Sequence, residues 1–126
     1  MFDSHCHLTD GRFDEDRAAV LDASFQAGVT RIVTVASNLE DARAAAKLAG
    51  SHAELAGSDS ELAGSHADLW STAGIHPHEV SEAEDADLAA VRELAATDPR
   101  VVAIGETGLD YFYDHSPREL QRRWFE

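Results

Sequence analysis

Apolar and polar residues alternate along the chain in blocks that predict four strands, each followed by a helix. Short apolar or β-branched runs predict strands at residues 2–8, 31–35, 69–75 and 101–104. Apolar residues at helical spacing predict helices at residues 13–27, 39–48, 81–98 and 116–126. Because strand and helix alternate four times, the pattern predicts a parallel sheet with helices outside it, curved like part of a (β/α) barrel.

Residues that favour helix ends support these boundaries. Gly28 is expected to end the first helix, and Asn38 is expected to cap the second. The segments 81–84 and 116–119 both have the form of a capping box, and Pro117 suits the first helical position.

Three copies of a seven-residue repeat interrupt the pattern before the third strand. Residues 48–54, 55–61 and 62–68 read LAGSHAE, LAGSDSE and LAGSHAD. Each copy contains Gly and Ser, and a Gly costs a helix about 1 kcal/mol relative to Ala. The segment 48–68 is therefore expected to be a surface insertion, either an extension of the second helix or a partly ordered loop.

Length and charge restrict the possible functions. A chain of 126 residues fits one domain, here taken as 1–126. Its net charge is −14 and Lys47 is its only lysine, so charge-driven binding to a nucleic acid backbone is not supported. A site that handles phosphates would need metal ions to supply positive charge.

The cysteine content and the apolar runs bear on location. The single Cys6 excludes an internal disulfide framework and is interpreted as a small buried hydrophobe. No transmembrane span and no secretory signal are visible, so no membrane partner and a cytoplasmic location are expected.

Polar residues with useful chemistry follow three of the four predicted strands. His5 and His7 close the first strand, and alternation along a strand places both imidazoles on one side. The remaining members follow the third and fourth strands: His76, His78, Glu106 and Asp110. All lie at carboxyl ends of strands, where (β/α) barrels build active sites. Histidines and a carboxylate are suitable ligands for Zn²⁺, Mn²⁺ or related ions, which activate water.

Each of these residues also has a structural interpretation. Glu106 would then form a loop salt bridge, Asp110 would cap a turn, and His76-Pro77-His78 would be a rigid strand exit. The aromatic run 111–113 is expected to pack, with the stacking of a base or sugar as the alternative. Gly105 and Gly108 allow a tight turn and a close approach of the backbone, which favours a site around Glu106.

The motifs HCHL at residues 5–8, GIHPH at 74–78 and GETGLDY at 105–111, in that order, resemble the TatD family of metal-dependent deoxyribonucleases. The resemblance implies a TIM (β/α)₈-barrel fold and one or two divalent metal ions (Mg, Mn or Zn). It also implies hydrolysis of DNA or nucleotide phosphodiesters, by 3′–5′ exonuclease action in some members. His5 and His7 match the family's first metal ligands and Glu106 its metal-bridging glutamate; His76, His78 and, as a further candidate, Asp110 are expected near the substrate.

Only four of the eight β/α units of a barrel are present, so the resemblance implies the amino-terminal half of such an enzyme. No complete catalytic set is expected, and the fragment is expected to be inactive alone. Its partner would be the missing carboxyl-terminal half, or a second copy associated through the open sheet edges.

Two other functions stay open. One is a phosphatase or another ester or amide hydrolase on a related metallo-barrel. Within that class, Glu106 in place of a carboxylated lysine argues against cyclic amidases, since Lys47 lies in a predicted helix. The other is a non-catalytic half barrel that serves as an assembly module.

Overall fold

The computed structural model describes residues 1–58 and 68–126. Across these residues each strand is followed by a helix, as predicted. The strands are β1 (Phe2–Cys6), β2 (Arg31–Thr34), β3 (Asp68–Ala73) and β4 (Val101–Ile104). The helices are α1 (Arg17–Gln26), α2 (Leu39–Ser58), α3 (Asp85–Thr97) and α4 (Arg118–Phe125).

The four strands form one parallel sheet in the order β1-β2-β3-β4. In register, Arg31 lies opposite both Phe2 and Asp68. The pairing of β1 with β2 is irregular between Asp3 and Cys6, where β1 contains one more residue than β2. Because all strands run the same way, their carboxyl ends meet at one edge of the sheet, and the loops that follow them share that edge.

Two apolar clusters hold the helices against the sheet. The first joins residues after β2 and β3 to α2 and α3, with Ala36, Ala46, Ile75 and Val91 among its buried members. The second joins the start of the sheet to α1 and α2; its buried residues are Leu8, Leu21, Ile32, Ala49 and Leu69. The buried face of α2 consists largely of alanines (Ala42, Ala45, Ala46 and Ala49), and these small side chains allow the helix to pack closely on β3.

The predicted start of α1 is wrong by four residues. A short 3₁₀ helix at Gly11–Phe13 precedes it, and α1 begins only at Arg17. The reason is local: the Asp10 carboxylate accepts a hydrogen bond from the Arg12 N–H at 2.9 Å and starts the tighter turn. Its end is as predicted, because Gly28 adopts a positive φ of 91° and terminates α1.

The two predicted capping boxes are also wrong. Helix α3 begins three residues after Glu82, with the Asp87 carboxylate accepting from the Glu84 N–H at 2.8 Å. Ser116 does not cap α4, because its hydroxyl donates instead to the His78 carbonyl at 2.9 Å. Pro117 occupies the N-cap position rather than the first helical position.

The Asn38 cap of α2 is confirmed, with Asn38 Oδ1 accepting from the Asp41 N–H at 3.0 Å.

Helix α2 runs past its predicted end to Ser58, through the first heptad copy and into the second. The rest of the repeat, residues 59–67, lies outside the described residues, and its placement on the surface stays a prediction. Strand β4 consists entirely of apolar residues, which is typical of a buried strand, but only Val101 is buried; Val102 and Ile104 are 52% and 59% exposed. The reason is position, because β4 is an outer strand of the described sheet.

Candidate metal centre and cleft

Three of the predicted ligands converge at the carboxyl-end edge of the sheet. The donor atoms of His5, His7 and Glu106 all lie within 4.8 Å of one another. Glu106 Oε2 is 3.5 Å from His5 Nε2 and 3.9 Å from His7 Nε2, and the two Nε2 atoms are 3.3 Å apart. His5 lies in β1, His7 directly after it and Glu106 in the loop after β4, and these are the two outer strands of the described sheet.

The backbone that directly follows β2 orients His7. Its Nδ1 lies 2.9 Å from the carbonyl oxygen of Val35, so this nitrogen carries the proton and donates it. The other nitrogen, Nε2, then has its lone pair free toward His5 and Glu106. A second-sphere carbonyl of this kind is what fixes the tautomer of a metal-binding histidine.

Glu106 reaches β1 because the chain after β4 crosses over the end of β3. The Gly105 N–H donates to the Ala73 carbonyl at 3.0 Å, and the Glu106 N–H donates to the Ala36 carbonyl, beyond β2, at 2.8 Å. The crossing passes directly over Gly74. A Cβ on Gly74 would lie 2.5 Å from the Gly105 carbonyl carbon and 2.8 Å from the Glu106 oxygen, so only glycine fits there.

The sequence predicts this close approach of the backbone at Gly105 and Gly108 instead. A Cβ on Gly105 would meet nothing within 4 Å, so the steric requirement lies at Gly74. Gly108 does have a backbone that favours glycine, with φ at 149°. The Gly105–Glu106 peptide bond is cis.

A buried hydroxyl fixes the crossing from below. Thr72 Oγ1, in β3, accepts from the Ala36 N–H at 3.1 Å and donates to the Gly105 carbonyl at 2.5 Å. Thr72 is 5% exposed. One side chain therefore joins the segment after β2 to the segment that presents Glu106.

His76 faces Glu106 from the end of β3. Its Nδ1 accepts from the His78 N–H at 3.1 Å, so in the neutral ring the proton is on Nε2, which lies 3.5 Å from Glu106 Oε1. Burial lowers the pKa of His76, outweighing the opposing effect of Glu106. His76 is thus a neutral donor directed at the carboxylate and not a further lone pair in the cluster.

His78 and Asp110 form a separate pair. His78 Nε2 contacts Asp110 Oδ2, while Asp110 Oδ1 accepts from the N–H groups of Phe112 at 2.9 Å and Tyr113 at 3.0 Å. The hydrogen bond with His78, followed by those backbone bonds, lowers the pKa of Asp110 to about 2. Asp110 therefore caps a turn, as the structural interpretation of this residue predicted. It also holds His78, which is predicted to lie near the substrate.

A buried glutamine supports this turn. Gln121 in α4 is 0% exposed, and its Oε1 accepts from the Asp110 N–H at 2.7 Å. Its Nε2 donates to the carbonyls of Asp110 at 3.0 Å and Ser116 at 2.7 Å. One side chain therefore binds both ends of the segment 110–116 within the loop after β4.

An open cleft of about 580 Å³ lies beside these groups. The loops after all four strands line it: His7, Thr9, Asp10, Gly11, Ser37, Asn38, Asp41, His76, His78, Glu79 and Glu106. The structure thus brings His76 and His78 to the same cleft as His7 and Glu106, and places Asp110 behind His78.

Cys6 lies apart from the cleft. It packs against the second apolar cluster, and burial raises the pKa of its thiol to about 11.

Sequence reasoning missed Thr72, Gly74 and Gln121. Gly74 stood within the GIHPH motif, which drew attention to its histidines alone. A helical Gln and a strand Thr carry no local signal of such roles, because their partners are remote in sequence.

A parallel β/α sheet that gathers imidazoles and a carboxylate at its carboxyl-end edge defines half of a (β/α)-barrel protein, with its candidate site where such barrels build one. The comparisons specify the family. Residues 2–126 match the family model described as TatD related DNase. The chain belongs to this family.

Relatives and solved structures agree with that assignment. The chain is 39% identical over 125 residues to the 3′-5′ ssDNA/RNA exonuclease TatD of Escherichia coli K12, covering 99% of this chain and 42% of that protein. The corresponding exonuclease of Salmonella typhimurium is 36% identical, with 100% and 43% covered. A TatD family hydrolase from Entamoeba histolytica superposes with a TM-score of 0.82 at 25% identity, over 99% of this chain and 43% of that one.

The predicted fold class is confirmed, as half of a TIM barrel. The chain spans about 42% of the length of the curated relatives it matches. Within residues 1–58 and 68–126, no helix combines the length and apolar character needed to cross a membrane.

Proposed function

We propose that this chain supplies the amino-terminal half of the active site of a TatD-type metal-dependent hydrolase. The substrate would be a phosphodiester of single-stranded DNA or RNA, cleaved from the 3′ end. The observation that carries the proposal is the convergence of His5, His7 and Glu106 within 4.8 Å, although they belong to the two outer strands of the described sheet and the loops after them. The names of the exonuclease relatives support the choice of substrate.

The donor set fits a divalent cation. Two imidazoles and a carboxylate suit Zn²⁺ or Mn²⁺, and Mg²⁺ is the further candidate. The Val35 carbonyl keeps the Nε2 lone pair of His7 available, as a ligand requires. One or two such ions, when bound, would polarise the phosphodiester and activate water.

The other residues would act on the substrate side. His76 and His78 line the same cleft as the ligands His7 and Glu106, and Asp110 holds His78 in place. The net charge of −14 repels a nucleic acid backbone, so bound cations are the expected source of attraction for the phosphate.

Three protein ligands would leave coordination positions open on a bound ion. We propose that the remainder of a full-length protein supplies the missing ligands and the base. The chain by itself is then expected to bind metal but to cleave nucleic acid slowly or not at all.

Calorimetric titration with Mn²⁺ and Zn²⁺ tests the ligand assignment. His5→Ala and Glu106→Gln are expected to weaken binding about tenfold or more, since each removes a ligand from the cluster. His52→Ala and Glu93→Gln are the matched controls, because both residues lie on helices outside the cleft. Equal affinities in all four variants would exclude the proposed centre.

Activity is measured separately on single-stranded DNA labelled at its 5′ end. A full-length parent that carries this segment is expected to shorten the strand from its 3′ end, and the same Glu106→Gln change is expected to abolish that activity. Vigorous metal-dependent cleavage by residues 1–126 alone would contradict the half-site proposal.

A further inference from the structure

Two aromatic side chains project into solvent from the loop after β4. Phe112 is 85% exposed and Tyr113 is 64% exposed. Exposed aromatics are unusual on a surface of net charge −14, where acidic side chains dominate. Together with the neighbouring His115, we refer to them as the aromatic platform.

The rings of the platform are arranged against one another. The Tyr113 ring lies parallel to that of His115, with 5.9 Å between centroids and 7° between planes. Phe112 stands perpendicular to Tyr113 at 4.8 Å. Tyr111, by contrast, is already covered by the Arg118 guanidinium, 5.0 Å from its ring. Its two neighbours are therefore the members of the aromatic run that remain open to a ligand.

The backbone under the platform is fixed. The Asp110 carboxylate binds the N–H groups of both Phe112 and Tyr113, and Gln121 binds Asp110 and Ser116 on either side of them. An exposed aromatic ring on a fixed backbone loses little conformational entropy when it binds, which favours recognition over mere packing.

The platform is linked by direct contacts to the candidate metal centre. The His78 ring contacts His115 at 4.5 Å, Tyr113 at 5.9 Å and His76 at 4.4 Å, measured between centroids. His76 in turn faces Glu106. This chain of contacts joins the platform to Glu106, so we expect a nucleic acid strand whose phosphodiester lies at Glu106 to bring an adjacent nucleobase to the platform.

We propose that Phe112 and Tyr113 stack on an unpaired nucleobase next to the scissile phosphodiester. The inference rests on the proposed function and specifies how its substrate is held. Stacking uses the flat face that every base has, so it would select unpaired strands without selecting sequence. It also adds affinity that does not depend on net positive charge, and the net charge of this chain is −14.

The test uses single-stranded DNA with 2-aminopurine in its terminal nucleotide and a phosphorothioate linkage that resists cleavage. Stacking quenches 2-aminopurine fluorescence. The unaltered chain with Mg²⁺ is expected to quench the probe, and to bind it about fivefold more tightly, or more, than the same strand lacking the terminal base. Phe112→Ala and Tyr113→Ala are expected to remove both effects, and Phe112→Tyr is expected to keep them.

Phe2→Ala is the matched control. Phe2 is an aromatic residue that is 57% exposed, and it lies at the amino end of β1, away from the carboxyl-end edge of the sheet that carries the site. Circular dichroism checks that the loop variants fold. Base preference that survives in both alanine variants, or its absence from the unaltered chain, would overturn the inference. The metal affinity of the unaltered chain is measured alongside. If that chain binds metal but shows no preference for the terminal base, the platform alone is refuted. If it binds no metal, the proposed His5–His7–Glu106 centre is refuted.

Discussion

The geometry of the site requires a glycine at position 74, because this residue has no Cβ. Its Cα lies under the crossing that carries Glu106 from β4 towards β1, and any Cβ would strike backbone atoms of Gly105 and Glu106 at 2.5–2.8 Å. Backbone cannot rotate away as a flexible side chain can, so a larger residue must displace the peptide that presents the carboxylate.

Gly74→Ala is therefore expected to lower the free energy of unfolding by about 1–3 kcal/mol, in the range of overpacked sites. It should also weaken metal binding about tenfold or more, because Glu106 moves away from the two histidines. Urea unfolding and calorimetry measure the two effects.

The control for this variant is Gly50→Ala. A Cβ on Gly50, inside α2, would meet nothing within 4 Å. Replacement there should leave metal affinity unchanged and stabilise the helix by up to about 1 kcal/mol. Normal metal binding by Gly74→Ala would show that the crossing does not position Glu106.

At the scale of elements, α4 serves the loop after β4. Gln121 is fully buried, and its amide replaces the backbone partners that Asp110 and Ser116 would otherwise lack. A buried side chain with all of its bonds made to one loop fixes that loop more firmly than apolar packing, because each bond has a required direction.

Gln121→Leu keeps much of the volume but removes the three hydrogen bonds. Each unsatisfied buried backbone group costs about 1–3 kcal/mol, so we expect local opening of the loop rather than an intact structure. Hydrogen exchange at the Phe112 and Tyr113 amides should accelerate about tenfold or more, and the 2-aminopurine quenching should fall.

Gln26→Leu, at the exposed end of α1, is the control and should leave both measurements unchanged. If exchange at Phe112 and Tyr113 stays slow in Gln121→Leu, the clamp formed by α4 is not what fixes the loop.

For the whole molecule, the outer strands of the sheet are expected to determine whether the chain associates with other chains. Within the described residues, β1 and β4 each pair on one side only, and Phe2, Val102 and Ile104 are more than half exposed. Such edges offer unpaired backbone groups and apolar surface to another chain. Self-repulsion from a net charge of −14 opposes that association and is screened by salt.

The isolated chain is therefore expected to associate as concentration and salt rise, when followed by size-exclusion chromatography with light scattering. The double variant Val102→Lys, Ile104→Lys should suppress association, since charged side chains on an edge strand prevent its pairing with another chain. Leu88→Lys, on α3 and 38% exposed, should not. A stable monomer with a single cooperative melting transition at all salt concentrations would contradict this prediction.

The sequence by itself determined the order of elements and the chemistry of the candidate ligands. Strand and helix alternation is a local pattern, and four parallel β/α units follow from it. The location of His5, His7 and Glu106 at strand ends follows from the same pattern, because parallel strands end at one edge. The sequence missed the start of α1, where the Asp10 carboxylate forms a tighter turn, and it missed the caps of α3 and α4.

Only the tertiary structure decided how those ligands meet. The crossing over Gly74, the Thr72 hydroxyl beneath it and the Gln121 clamp all join residues that are remote in sequence or belong to different elements. Periodicity reports which face of an element is apolar, and it carries no information on which distant backbone group a polar side chain will bind. That is why the residue types of the site were visible in the sequence, and its geometry was not.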